Sequence, residues 1–288
     1  MTQTYVTLNN GLKMPQVGLG VFQVPDGEKT YNAVLAALKC GYRKIDTAHA
    51  YQNERSVGKA IKDSGIPRSE IWITSKLWIN EYGEGKTLPA LEKMLARLGV
   101  DYIDLVYLHQ PFGDVKGAWK DLEKAVEQKK ARSIGISDFD YRENMFTDFV
   151  DSVNIKPVTL QIECHPFAQR KNFQALAAKY NILIECWYPF GGRQSNGVVL
   201  KDPTINKIAQ AHNCSATQVI LRFDVQEGLL PLPGSLTPAH IEDNFKIFNF
   251  TLSEEEMKEM RALNKEQRFF TMNEEQSNKN LSAWAVED

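Results

Sequence analysis

Short apolar runs alternate along this chain with stretches whose apolar positions recur every three to four residues. The runs occupy residues 16–20, 43–46, 71–76, 102–109, 132–137, 159–163, 182–187 and 229–233. They are brief, β-branched or aliphatic, and bounded by charged or turn-forming residues, as strands buried on both faces are. Between them, Tyr31, Val34, Leu35 and Leu38 stand at i, i+3, i+4 and i+7, the one-face spacing of an amphipathic helix. Leu88, Leu91, Leu95 and Leu98 repeat it, and Ile241, Phe245 and Phe248 carry it near the end. Thr237-Pro238 reads as an N-cap followed by proline at the first helical position. Ser253 with Glu256 reads as a capping box.

The strand runs return roughly every 30 residues, the length of a strand–helix unit. Eight such units close a parallel barrel. The pattern therefore predicts a single (β/α)8 TIM barrel domain spanning residues 1–288. The opening segment 5–14 reads as a β-hairpin with Asn10-Gly11 at its turn, placed across the barrel bottom. The interval before the last strand is longer than the others. It holds a glycine-rich loop at 189–197 and an extra helix from about Pro203. After Leu263 a polar C-terminal tail carries Phe269, Phe270 and Trp284. A doubly wound open sheet would need a glycine-rich fingerprint after its first strand. The one candidate, Gly18-Leu19-Gly20, lacks the third glycine.

A hydrophobic content of 43% suffices for a large core, and a formal net charge of -2 gives no electrostatic footprint for nucleic acid. No apolar stretch approaches the length of a membrane span. The N-terminus lacks the basic and apolar regions of a signal peptide, so a cytoplasmic protein is expected. Cys40, Cys164, Cys186 and Cys214 form no C-x-x-C pair and no zinc spacing, which reads as four reduced thiols and no metal. No exposed apolar interface helix is evident, so a monomer is expected.

In parallel barrels the active site forms at the C-terminal strand ends. The last residues of the runs are Asp46, Lys76, His109, Ser137, Gln161 and Trp187, with Ser235 just past the eighth. Almost all are polar or aromatic although the strand interiors are apolar. Tyr51 follows Asp46 in a loop over the same rim. A tyrosine hydroxyl is a poor acid at neutral pH, and an adjacent ammonium lowers its pKa. Lys76 would supply that ammonium and Asp46 would hold it, with His109 orienting the carbonyl. This group donates a proton to a forming alkoxide. The hydride must come from elsewhere, which points to a nicotinamide.

On these residues the chain resembles the aldo-keto reductases over essentially its whole length. The resemblance rests on the segments 14–20, 41–48 with Tyr51 and Asn53-Glu54, 74–78, 104–109, 134–137, 161–166 and 235–244. The segment 110–114 resembles the bacterial branch that includes diketogluconate reductases. The resemblance implies NAD(P)H-dependent reduction of aldehydes and ketones by Asp46, Tyr51, Lys76 and His109. It implies that Ser137 and Gln161 hold the carboxamide and that Trp187 stacks on the nicotinamide. Asp138, Ser235, Thr237, His240, Asp243 and Asn244 complete the cofactor set. Phe22, Trp78 and Phe112, with His109, line an apolar substrate pocket.

The chain departs from the family pattern in the cofactor half. Asp138 replaces an asparagine that can donate to the carboxamide oxygen; an ionised aspartate cannot. Gly234 and His240 stand where relatives place the lysine and arginine that clamp the 2′-phosphate of NADP. A histidine there is not the fixed cation that an arginine is. Two lost charge-assisted contacts, each worth about 1.5–3 kcal/mol, shift preference toward NAD(H). The same missing lysine weakens the latch over the pyrophosphate. Two other functions compete with catalysis. One is a regulatory barrel that binds cofactor with little turnover. The other is a metal-dependent hydrolase, which needs several rim histidines and carboxylates.

Overall fold

The computed structural model describes residues 3–287. A hairpin of β1 (Tyr5–Thr7) and β2 (Lys13–Pro15) precedes eight barrel strands. These are β3 (Leu19–Gly20), β4 (Lys44–Asp46), β5 (Trp72–Leu77), β6 (Leu105–Leu108), β7 (Ile134–Ser137), β8 (Thr159–Glu163), β9 (Leu183–Trp187) and β10 (Leu230–Leu232). All pair in parallel in sequence order. Gly18 N–H donates to Pro231 O at 3.3 Å and Gly20 N–H to Pro233 O at 3.1 Å, which joins the first strand to the last and closes the barrel.

Helices α1 (Glu28–Cys40), α2 (Glu54–Asp63), α3 (Thr87–Leu98), α4 (Val115–Glu127), α5 (Glu143–Ser152) and α6 (Lys171–Ala178) follow successive strands. The inserted α7 (Pro203–Ala211) and α8 (Ala216–Gln226) follow β9, and α9 (Pro238–Phe245) follows β10. The chain ends with α10 (Glu254–Arg261) and α11 (Glu274–Ser282). Among the described residues no helix is long and apolar enough to cross a membrane.

Side chains alternate across each strand. Outward positions such as Ile45, Ile73, Val106, Ile136, Leu160 and Ile184 pack against the helix ring in one large apolar cluster. The alternate positions bring Lys44, Asp46, Lys76, Tyr107, Thr159, Gln161 and Glu185 together, all buried and joined by direct bonds. The usual barrel lumen is filled by branched aliphatics; here it carries charge. Gly135 makes room in it, since a Cβ there would lie 2.5 Å from the Tyr107 ring.

The hairpin plugs the bottom as expected: Leu8 and Met14 pack with Trp72, Leu105, Tyr107, Val158 and Leu230. Its turn differs from the expected two-residue form. Gly11 N–H donates to Leu8 O at 2.9 Å, and Gly11 itself holds φ +83°. Asn9 and Asn10 therefore form the turn and Gly11 the left-handed step after it, a three-residue loop. The Ser253–Glu256 capping box is present. Thr237 precedes α9 but its side chain caps nothing; instead its N–H donates to Ser235 Oγ at 3.1 Å. Helix α9 stops at Phe245, and Phe248 packs on that ring from outside the helix, with centroids 5.5 Å apart.

Gly58 marks the tightest helix contact. A Cβ there would overlap the carbonyl of Leu98, the last residue of α3. Backbone cannot move aside as a side chain can, so Gly58→Ala is expected to cost about 1–3 kcal/mol, the range for overpacking. Urea denaturation monitored by circular dichroism measures it; an unchanged midpoint would show that α2 and α3 slide freely.

Candidate active site

The predicted strand-end residues converge on one cavity of about 530 Å³ at the C-terminal mouth of the barrel. Asp46, Tyr51, His109, Ser137, Asp138, Gln161, Trp187 and Ser235 face it, and Phe22 and Trp78 form part of its wall. Lys76 lies beneath the floor. Its Nζ donates to Asp46 Oδ1 at 2.5 Å, to Thr47 O at 2.9 Å and to Tyr51 Oη at 3.3 Å. Tyr51 closes the short 3-10 turn His49–Tyr51. That turn is fixed from below, where His49 Nδ1 meets Glu81 Oε1 at 2.9 Å.

Electrostatics refine the expectation for Tyr51. Burial is the dominant effect and pushes the phenol up to about 12, although the Lys76 ammonium pulls the other way. Tyr51 is therefore a fully protonated donor at neutral pH, not an acidified one. Burial also works against the Lys76 ammonium, yet Asp46 and Tyr51 together hold it charged and well above its usual range. Burial, aided by Lys76, drives His109 well below the usual histidine range, so the ring is neutral. His109 Nδ1 is buried without a partner among the described residues, which favours the proton on Nε2.

A layer unseen in sequence supports this group. Gln161 Nε2 donates to Asp46 Oδ2 at 3.0 Å and to Glu185 Oε2 at 2.5 Å. Two carboxylates claim both amide hydrogens, so its carbonyl oxygen is left for the cavity. Glu185 also accepts from Tyr107 Oη at 2.8 Å and pairs with the buried ammonium of Lys44.

The tail roofs the mouth. Trp78 Nε1 donates to Trp284 O at 2.7 Å, Asn80 Nδ2 to Val286 O at 3.0 Å, and Gln52 Nε2 to Glu287 O at 3.3 Å. Trp78 and Trp284 rings lie 4.7 Å apart. Glu163, at the end of β8, accepts from Phe269 N–H at 2.6 Å and from Arg268 Nε at 3.0 Å. Burial alone would raise its carboxyl, but these bonds and His165 hold it below the usual range. Phe270, Met272, Leu281 and Trp284 thereby join the cavity wall. Their positions in a polar tail gave no periodic signal.

Other expected site residues lie elsewhere. Phe112 is buried behind Tyr141, centroids 5.6 Å apart, and does not face the cavity. Tyr141 takes the place on the wall that was expected of Phe112. Thr237, His240, Asp243 and Asn244 sit on or next to α9, outside the cavity lining. Asp243 Oδ2 accepts from Ser215 Oγ at 2.8 Å, and Asn244 is buried.

The walls suit a nicotinamide. Gln161 offers an acceptor, Ser137 a hydroxyl and Trp187 a flat ring along one side, and the cavity continues past Gly20 and Gly234 toward Ser235. A model of the aldo/keto reductase family matches residues 16–265. The chain belongs to that family. It is an oxidoreductase of the NAD(P)H-dependent, carbonyl-reducing kind. It is 43% identical to a 9,11-endoperoxide prostaglandin H2 reductase of Trypanosoma cruzi, covering 91% of this chain and 92% of that one. It is 42% identical to a glyoxal reductase of Bacillus subtilis, covering 91% and 94%. Among solved structures, a deep-sea metagenome aldo-keto reductase superposes with TM-score 0.89 at 38% identity, covering 93% and 98%. An aldo-keto reductase of Bombyx mori, solved in complex with NADP, superposes with TM-score 0.87 at 31% identity, covering 94% and 96%. Among the described residues no cluster of three or more His, Cys, Asp or Glu is placed to hold a metal.

Proposed function

We propose that Tyr51 is the proton donor of a carbonyl reduction in which Ser137, Gln161 and Trp187 hold the nicotinamide. The observation that carries this is the Tyr51 hydroxyl 3.3 Å from a fully buried Lys76 ammonium, on the wall of the same cavity as that carboxamide-shaped set. The nicotinamide supplies the hydride. Tyr51 Oη donates its proton to the carbonyl oxygen as negative charge builds there. Lys76 stabilises the phenolate left behind, and Asp46 keeps Lys76 charged and in place. Neutral His109, with its Nε2–H toward the cavity, donates a hydrogen bond to the same oxygen and orients it. Phe22, Trp78, Tyr141 and Trp284 exclude water and accept an apolar substrate body.

A buried phenol held near 12 has a directional consequence. Reduction uses the protonated form, so with cofactor saturating its rate is flat across neutral pH. Alcohol oxidation needs the phenolate, so it is slow at pH 7 and climbs with pH toward the alkaline limit. Initial rates in both directions across a pH series check this; oxidation with a neutral optimum would assign the proton to another group.

We further propose that NAD(H) binds at least as well as NADP(H). Gly234 brings no charge, and His240 is an exposed histidine on α9. Ser235 borders the cavity, Thr237 and Asn244 lie on or next to α9 outside its lining, and Asp243 is committed to Ser215. Calorimetric titration of both reduced cofactors tests this; NADPH binding about tenfold or more tighter, a gap of about 1.4 kcal/mol, would overturn it. Four free thiols and one closed barrel support a single-domain, cytoplasmic enzyme.

A further inference from the structure

Asp138 stands one residue beyond β7, on the cavity wall. Its φ is +62°, the left-handed region that aspartate enters more readily than most side chains. Its N–H donates to Gln161 O at 3.0 Å, which extends the β7–β8 ladder past Ser137 and pins the backbone. Both carboxylate oxygens are engaged. Oδ1 accepts from Trp187 Nε1 at 3.0 Å, and Oδ2 accepts from Gln110 Nε2 at 2.8 Å. The carboxylate thus ties together the ends of β6, β7 and β9.

The donors decide what this position needs. An indole N–H can only donate. Two donors facing one group require two acceptor atoms, and an ionised carboxylate supplies both. Asparagine or a neutral acid would turn an N–H or O–H toward one of them. Gln110 Oε1 is buried with no partner among the described residues. The same amide, rotated, would offer that oxygen to a protonated Asp138, so the bridge has two arrangements.

We propose that Asp138 is a positioning residue for the cofactor: it holds the Trp187 indole in the plane on which the nicotinamide stacks and locks the Gln110 amide to it, without contacting the transferred hydride or proton. This rests on the assignment of Trp187 to the nicotinamide face. The groups facing Asp138 are Asp140 from its own loop, Arg268 from the tail, and the phenols of Tyr51, Tyr82 and Tyr141. Arg268 is shared with Glu163, and Asp140 pairs with Arg170 at 2.6 Å. Burial first, and Asp140 second, push the Asp138 carboxyl up to about 7 against the pull of Trp187, Arg268 and Gln110. The two-donor bridge needs the ionised form. It is charge-assisted above about pH 7, and as pH falls through that value the stronger hold on Trp187 gives way to the neutral arrangement with the Gln110 amide rotated.

The test is calorimetric titration of NADH and NADPH between about pH 5.5 and about pH 8.5, with kcat and KM for a test aldehyde, on the wild type, Asp138→Asn, Trp187→Phe and the double variant. The wild-type Kd is expected to weaken by about tenfold toward acid pH, the equivalent of one charge-assisted hydrogen bond. Asp138→Asn should be about tenfold weaker at alkaline pH and flat with pH, its loss concentrated in cofactor Kd and not in kcat. Trp187→Phe keeps a stacking ring and lacks the N–H. It should lose the same pH dependence, and the double variant should be no worse than the weaker single one. Retained pH dependence in Asp138→Asn, losses that add, or a wild-type Kd flat with pH would each overturn the proposal alone. Failure of the wild type to bind either cofactor would overturn the functional reading and the proposal together.

Discussion

Tyr51→Phe lowers turnover of an aldehyde by a factor on the order of 10²–10⁴ and leaves cofactor affinity within about twofold. The substitution removes one oxygen and keeps the ring that packs against Phe22 and His109, at centroid distances of 4.9 and 5.6 Å. Among the described residues the only polar contact removed is the one to Lys76 Nζ, and that ammonium keeps Asp46 and Thr47 O. The fold and the cofactor walls therefore survive, and what is lost is the proton. Single-turnover kinetics with pre-bound cofactor isolate that step. A loss of cofactor binding of the same size would mean that Tyr51 holds the site together and does not donate. Lys76→Met should be as damaging, because it leaves Asp46 buried without its cation and the phenolate product without a neighbouring charge.

Lys44→Met is the second large effect, and it falls on stability. Lys44 and Glu185 are both fully buried inside the barrel. Removing one partner strands a carboxylate in a low dielectric, which costs about 3–5 kcal/mol. Glu185 keeps bonds from Tyr107 and Gln161, so the cost belongs to the lost charge and not to an empty hydrogen-bond shell. Adding Glu185→Gln to Lys44→Met should recover most of the loss, because the stranded charge is then gone. Urea denaturation of the single and double variants measures both terms. A Lys44→Met cost below about 1 kcal/mol would show that water reaches Glu185 and solvates its charge.

How much of this was legible beforehand depended on the range of the interaction. The eight-strand period and the helical faces are local patterns, and each strand, with the helices read from residues 31, 88, 203 and 241, formed within a few residues of its reading. The strand-end rule brought Asp46, Lys76, His109, Ser137, Gln161 and Trp187 to one rim because a parallel barrel puts every C-terminal end on the same side. Phe112 was misplaced because periodicity says nothing about which of two neighbouring aromatics faces a cavity. Tyr141, one loop further on, takes that wall. Likewise Lys44, Glu185 and Tyr107 looked like ordinary members of apolar runs. Their inward direction is a parity along the strand, and only a closed barrel turns that parity into a shared buried layer.

The chain by itself determined the fold and the gathering of Asp46, Lys76 and His109 on one rim, since both follow from spacing and from the chemical type at strand ends. The tertiary structure decided three further matters. Burial outweighs the Lys76 ammonium at Tyr51, which depends on how completely the ring is enclosed and not on what stands next to it in sequence. The polar tail becomes the roof, because Glu163 binds the backbone of Phe269 across a separation of 106 residues. Asp138 becomes a bridge, because Gln110 and Trp187, 28 and 49 residues away, both present donors to it. Each of these is a long-range contact whose partners carry no pattern of their own, so only the folded chain brings them within bonding distance.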